Sequence, residues 1–265
     1  MRFSTSPILE SSRDSIATSQ SQPIVLKRAL RQLVQDGPAQ GLRIELPTSG
    51  AHRVRELVHR GTQRPVSKLA SIKLGRVVQC ESALEVDAVR ILDAHGAVSA
   101  FCEQPLRIRY YLEGRAHHHV PDLAAISNEG RLSLLEVKFQ SDVDEAIQSR
   151  TAVLQRALGE IGVHYKLLTE HQIREGDGVQ RAIRVLRRAR HGTCQVQLIA
   201  VWERLRRLGC TELSAFEWDV PGSAVACSIA RLLVQGHASL DAGAPLTGRT
   251  LVRASEGPMT EVLPW

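Results

Sequence analysis

Aromatic side chains make up only 4% of this 265-residue chain, and cysteine is both scarce and scattered. Hydrophobic residues still reach 43%, so a core can form, built mostly from Leu, Val, Ala and Ile. The five cysteines, Cys80, Cys102, Cys194, Cys210 and Cys227, are odd in number, and no pair has C-x-x-C spacing. That argues against a disulfide framework and a structural zinc site, and predicts a reduced, cytoplasmic setting. No stretch approaches the roughly 18 consecutive apolar residues of a membrane span, so no membrane partner is expected. The Ser-, Thr- and Gln-rich start, residues 1–22, has neither a long apolar core nor a cleavage site, and reads as a loosely attached segment rather than a signal peptide. His117-His118-His119 lacks a second ligand group spaced to complete a zinc site. In an extended segment His117 and His119 share one face and His118 takes the other, and all three read as surface or DNA-facing residues.

Basic residues are in excess, with a net charge of +6 and a pI near 9.4. Such a balance favours a polyanionic partner, nucleic acid first. The basic stretch at 49–76 reads as irregular, either a solvated surface or a set of phosphate contacts.

Hydrophobic periodicity then organises the chain. Residues 24–35 predict a helix ended by Asp36-Gly37-Pro38. Ser82-Ala83-Leu84-Glu85 opens a second helix with Leu84, Ala88, Ile91 and Leu92 as its apolar stripe. Extended segments follow at Val98–Phe101, Leu106–Leu112, His117–Ile126 and Leu132–Phe139, which predict an antiparallel meander. A helix over 142–160, capped by Asp142 and Asp144, crosses to a strand at Val163–Leu168. Beyond Gly176-Asp177-Gly178 come a basic amphipathic helix at 179–190, apolar-periodic segments at 195–208, 212–218 and 223–235, and two short strands around a Gly/Pro-rich turn. Helices followed by a two-stranded ribbon are the pattern of a winged helix. The expected division is an accessory segment at 1–48, an α/β domain at 49–176 and a small, mostly helical winged-helix-like domain at 177–265.

The chemistry gathers at Pro121-Asp122 and Glu136-Val137-Lys138. A turn at Ser127–Gly130 folds these into a hairpin, and the period of two puts Glu136 and Lys138 on one face. Two carboxylates and an ammonium at one end suit a divalent metal and an attacking water. The bland alternatives are a turn aspartate and a plain Glu136–Lys138 ion pair. Glu85 reads either as a third carboxylate or as the acid of the Ser82–Glu85 capping box, with Glu81 as the neighbouring alternative. Gln104 reads either as a side chain bonding nearby backbone or as a supporting contact.

Pro121-Asp122 with Glu136-Val137-Lys138 resembles the PD-(D/E)xK nuclease signature. With Cys80–Glu85, Phe101–Leu106 and His119–Asp122, the pattern over about residues 50–175 resembles the N-terminal domain of the TnsA family, endonuclease subunits of heteromeric bacterial transposases. The resemblance implies a restriction-endonuclease-like mixed sheet flanked by helices. It places Glu85, Asp122, Glu136 and Lys138 on the catalytic positions. The metal, Mg2+ with Mn2+ as a substitute, would be held by Glu85, Asp122, Glu136 and the Val137 carbonyl. Some members carry Gln where this chain has Glu136. The implied activity is phosphodiester hydrolysis in double-stranded DNA at the 5′ ends of a transposon. The implied partners are a DDE transposase subunit and an AAA+ ATPase regulator. Two alternatives stay open: a stand-alone nuclease of defence or repair, and a catalytically inactive DNA- or ATPase-binding adaptor.

Overall fold

The computed structural model describes residues 22–48, 53–54, 66–241, 245–255 and 265, so His52, Arg55, Arg60 and Arg64 of the basic stretch lie outside the described residues. The chain is mixed α/β with several sheets. Helix α1 (Gln22–Asp36) buries Leu26, Leu30 and Leu33, the i, i+4, i+7 stripe that its periodicity requires. A 3-10 turn over Gly37–Gln40 ends it, with Pro38 near its start and Gly41 at φ 70° closing it. Strand β1 (Arg43–Glu45) follows, then the hairpin of β2 (Ser67–Ala70) and β3 (Val77–Cys80) and helix α2 (Ala83–Ala94).

The central sheet holds β4 (Val98–Glu103), β7 (Leu123–Ser127), β8 (Leu132–Val137) and β9 (His164–Leu168) in the order β4-β7-β8-β9. Its last pair, β8 and β9, is parallel and is joined by helix α3 (Glu145–Gly159). Every residue of β7 and β8 is buried, because both faces of the sheet are covered. Ala124, Leu132 and Leu134 face a core with α1 and α3. Ala125, Leu135 and Val137 face a core with α2.

The antiparallel meander expected of these segments is split between two sheets. Strand β5 (Arg107–Leu112) pairs on one side with β6 (Arg115–His119) and on the other with β1, in a separate three-stranded sheet. Gln104 at φ 42° followed by Pro105 turns the chain out of the central sheet after β4. The segment read as one strand over His117–Ile126 is broken at Val120-Pro121, since proline offers no N–H to a ladder. Likewise Asp142 ends a 3-10 turn, Gln140–Asp142, and Asp144 alone caps α3, accepting from the Ile147 N–H at 2.8 Å.

After a short helix α4 (Glu170–Ile173) come α5 (Gly178–Ala189), α6 (Gln195–Leu208) and α7 (Ala224–Val234). The segment 212–218 is not a helix of the apolar-periodic kind. It holds the end of β10 (Cys210–Glu212) and a 3-10 turn, Leu213–Phe216, and β10 adds a third strand to β11 (Ala238–Leu240) and β12 (Leu251–Ala254). Few as they are, the aromatics do structural duty here: Phe216 and Trp218 are among the largest fully buried side chains.

Helix α5 packs against both α2 and α7, and Ala182 shares the core of α2. Two polar ties join the turn between β2 and β3 to α2 and α7. Buried Lys73 donates to the Val234 carbonyl, and buried Asp93 accepts from the Ser71 hydroxyl and the backbone N–H groups of Ile72 and Lys73. The basic stretch is thus less irregular than its composition predicts, and some of its charge is internal. All five cysteines are free thiols. Burial pushes Cys80 and Cys102 up to about 12, which leaves neither as a thiolate at neutral pH. Among the described residues no helix is long and apolar enough to cross a membrane.

Candidate active site

The end of the central sheet at which β7 begins and β8 ends opens into a cleft of about 800 Å³ lined by Glu81, Glu85, Asp122, Glu136, Lys138 and Arg150, among others. Pairing of Leu123 with Leu135 sets Asp122 opposite Glu136. Asp122 Oδ2 accepts from the Val137 N–H at 2.8 Å, which ties the carboxylate to the neighbouring strand. Lys138 Nζ lies 3.0 Å from Glu136 Oε1 and 3.5 Å from Asp122 Oδ2. The ammonium therefore stands between the two acids, as the hairpin reading requires.

The electrostatics of the two acids diverge. Burial, with Glu136 as like charge, pushes Asp122 up to about 8, although Lys138 and the Val137 N–H pull the other way. Burial also opposes ionisation of Glu136, but His119 and Lys138 outweigh it and hold that carboxylate below its ordinary value. Lys138 is held above its ordinary value: burial lowers it, and Asp122, Glu136 and Glu85 together prevail.

Glu85 lines the same cleft, yet its carboxylate is engaged locally. Its Oε2 accepts from the Glu81 N–H at 2.9 Å and its Oε1 from the Ser82 hydroxyl at 3.1 Å, while its own N–H donates to Ser82 Oγ at 3.1 Å. This is a shifted capping box: Ser82 accepts from the Glu85 N–H, while the Glu85 carboxylate reaches one residue beyond the N-cap, to the Glu81 N–H. Gln104 does two things at once. Its N–H donates to the Asp122 carbonyl at 2.8 Å, and its side-chain amide donates to Glu81 Oε1 at 2.7 Å. It thereby links the strand end carrying Asp122 to the start of α2. Neighbouring Glu103 is turned away, paired bidentately with Arg76 at 2.7 Å.

Two side chains that the sequence reading did not place in the site, Arg150 and His119, meet Glu136, and a third, Tyr165, stands behind His119. Arg150 reaches its Oε1 at 3.0 Å from α3. His119 Nε2 lies 3.1 Å from its Oε2, and the Tyr165 hydroxyl lies 2.9 Å from the same nitrogen. His119 is buried, which corrects its reading as a surface or DNA-facing residue. Arg150 stands between Ile147 and Leu154 on the inward stripe of α3, and a charge on that stripe was the signal in the sequence. For Tyr165 no comparable signal exists.

A divalent cation fits the chemistry of this donor set. Glu136 Oε2 is buried and makes no hydrogen bond, and Asp122 is a half-buried carboxyl whose ionisation Lys138 and the Val137 N–H compensate only in part. Both are oxygen donors of the kind Mg2+ takes. Among the described residues, no group of three or more His, Cys, Asp or Glu side chains converges as a metal cage, in keeping with Glu85 being turned into its capping box.

The basic helix α5 spends charge internally. Arg181 donates to the Asp241 carbonyl, Arg184 to that of Leu246 and Arg188 to that of Trp218. The Arg188 guanidinium also stacks 4.1 Å above the Trp218 ring.

No family model matches the chain, and no curated protein does. Among solved structures, the crystal structure of protein VC1899 from Vibrio cholerae is similar at 15% identity, over 66% of this chain and 52% of that one, with a TM-score of 0.23. The match thus spans about half the length of that neighbour, and at this TM-score it carries no argument about fold or chemistry.

Proposed function

We propose that this chain is a divalent-metal-dependent DNA endonuclease of the PD-(D/E)xK kind, the 5′-end-cutting subunit of a heteromeric transposase. The observation that carries the reading is the meeting of Asp122, Glu136 and Lys138 at one sheet end, inside a cleft of about 800 Å³. In this reading the central sheet is the restriction-endonuclease-like core, and the C-terminal helices with their three-stranded ribbon form the winged-helix-like part.

Asp122, Glu136 and the Val137 carbonyl would hold Mg2+ or Mn2+, with Glu85 joining if it leaves its capping box. When bound, the cation supplies Lewis-acid polarisation of a phosphate oxygen and acidifies a water. Lys138 contributes a fixed positive charge beside the position where negative charge develops, which favours the transition state over the ground state. Asp122, anchored by the Val137 N–H, keeps its place opposite Glu136 through that change. Products would carry 5′-phosphate and 3′-hydroxyl ends. The DDE transposase and AAA+ regulator belong to the proposal as partners.

Nicking of supercoiled plasmid with Mn2+, by the chain alone and together with its proposed DDE transposase partner, tests the assignment. Wild-type nicking that Asp122→Ala loses, with an unchanged circular dichroism spectrum, is the expected result. Nicking retained by Asp122→Ala overturns it. A second reading, an inactive adaptor, is favoured by the engagement of Glu85 in its capping box and of Glu136 by Arg150. A wild-type chain that binds no Mn2+ in calorimetry would favour the adaptor.

A further inference from the structure

We propose that His119 and Tyr165 are positioning residues for Glu136, holding its carboxylate from the seam between the two sheets; the inference rests on the nuclease reading of the cleft. His119 ends β6 in the three-stranded sheet, and Tyr165 lies in β9 of the central one. Their rings meet edge-on, with centroids 5.9 Å apart and planes at 72°. Both side chains are buried, so their polar atoms need partners within the protein.

The two oxygens of Glu136 are held differently. Lys138 and Arg150 both approach Oε1, each at 3.0 Å. Oε2 has His119 Nε2 at 3.1 Å but no bond of good geometry. That nitrogen also lies 2.9 Å from the Tyr165 hydroxyl. One nitrogen therefore serves two neighbours. If it carries a lone pair, it accepts the Tyr165 O–H, and Oε2 keeps its full charge for a cation. If it carries a proton, it can turn that N–H to Oε2 and hold it. In either state the imidazole limits how the carboxylate plane can rotate. Cations on Oε1 alone do not, because the terminal torsion of a glutamate is soft and broad. Tyr165 in turn fixes the imidazole. This is the arrangement by which outer groups orient a ligand, and their loss costs roughly 10- to 100-fold in metal affinity.

Mn2+ binding to the full chain without DNA, by calorimetry, tests this on wild type, His119→Leu, His119→Gln and Tyr165→Phe, with thermal midpoints recorded alongside. His119→Leu is expected to weaken Mn2+ binding roughly 10- to 100-fold. His119→Gln, which places an amide nitrogen near the position of Nε2, should recover most of it. Tyr165→Phe keeps the ring packing and loses one hydrogen bond, an expected weakening of roughly 2- to 10-fold. A merely structural role would lower the midpoints and leave Mn2+ affinity unmoved. Equal affinity in wild type, His119→Leu and Tyr165→Phe overturns this inference and leaves the nuclease reading standing. Should His119→Leu not fold, unchanged affinity in Tyr165→Phe overturns it by itself. Absence of Mn2+ binding by the wild type overturns the nuclease reading, and this inference with it.

Discussion

Replacing Asp122 with Asn should stabilise the metal-free protein, and more so at high pH. Burial and the facing Glu136 push the carboxyl from its ordinary 3.8 up to about 8. Between those values the folded chain holds a proton that the unfolded chain has released, so stability falls as pH rises through that window. The penalty is absent below about pH 4 and complete above about pH 8. At 1.36 kcal/mol per pH unit its ceiling is about 6 kcal/mol. That ceiling already contains the pull of Lys138; the side chain is left 17% exposed, so solvent screening reduces the expected cost to about 2–3 kcal/mol. Asn keeps an oxygen to accept the Val137 N–H and carries no charge. In a chain of this size the gain corresponds to roughly 5–10 °C in thermal midpoint at pH 8. Scans with a chelator, at pH 4.5 and at pH 8, read it directly. Mn2+ should then reverse the order by raising the wild-type midpoint and leaving that of Asp122→Asn in place. An Asp122→Asn protein less stable than wild type at pH 8, or one with the same pH slope, would refute the reasoning.

Elsewhere, Arg76→Ala strips the buried Glu103 of both its 2.7 Å contacts. Leaving that charge unpaired should cost about 3–5 kcal/mol in urea unfolding. At Gly236, φ is 79° and an added Cβ would sit 2.5 Å from the Gly96 carbonyl oxygen. Gly236→Ala should therefore cost about 2–4 kcal/mol, combining left-handed strain with backbone overlap. Gly41→Ala, at φ 70° with open space around its Cβ, should cost only about 1–2 kcal/mol. Thermal unfolding of the two variants side by side separates the contributions.

Local features were legible in the linear chain. The stripe of Leu84, Ala88, Ile91 and Leu92 placed α2, and the capping pair Ser82 and Glu85 placed its start. Period-two alternation put Glu136 and Lys138 together, and the short turn at Ser127–Gly130 brought Asp122 opposite them. These rest on neighbours a few residues apart, for which backbone periodicity dictates direction. Strand partners were a different matter. An alternating segment such as Arg107–Leu112 announces a strand without naming its neighbour, so the departure of β5 and β6 from the central sheet waited on the turn at Gln104-Pro105 and the pairing with β1. The surroundings of Glu136 were likewise hidden. Arg150, His119 and Tyr165 lie 14, 17 and 29 residues from it in sequence and belong to three different elements. Spacing along the chain was enough to say which acids could meet in a hairpin. Which of them stays charged followed from the packing, because it depends on burial and on a partner, His119, that another sheet brings from 17 residues away, beside the nearby Lys138.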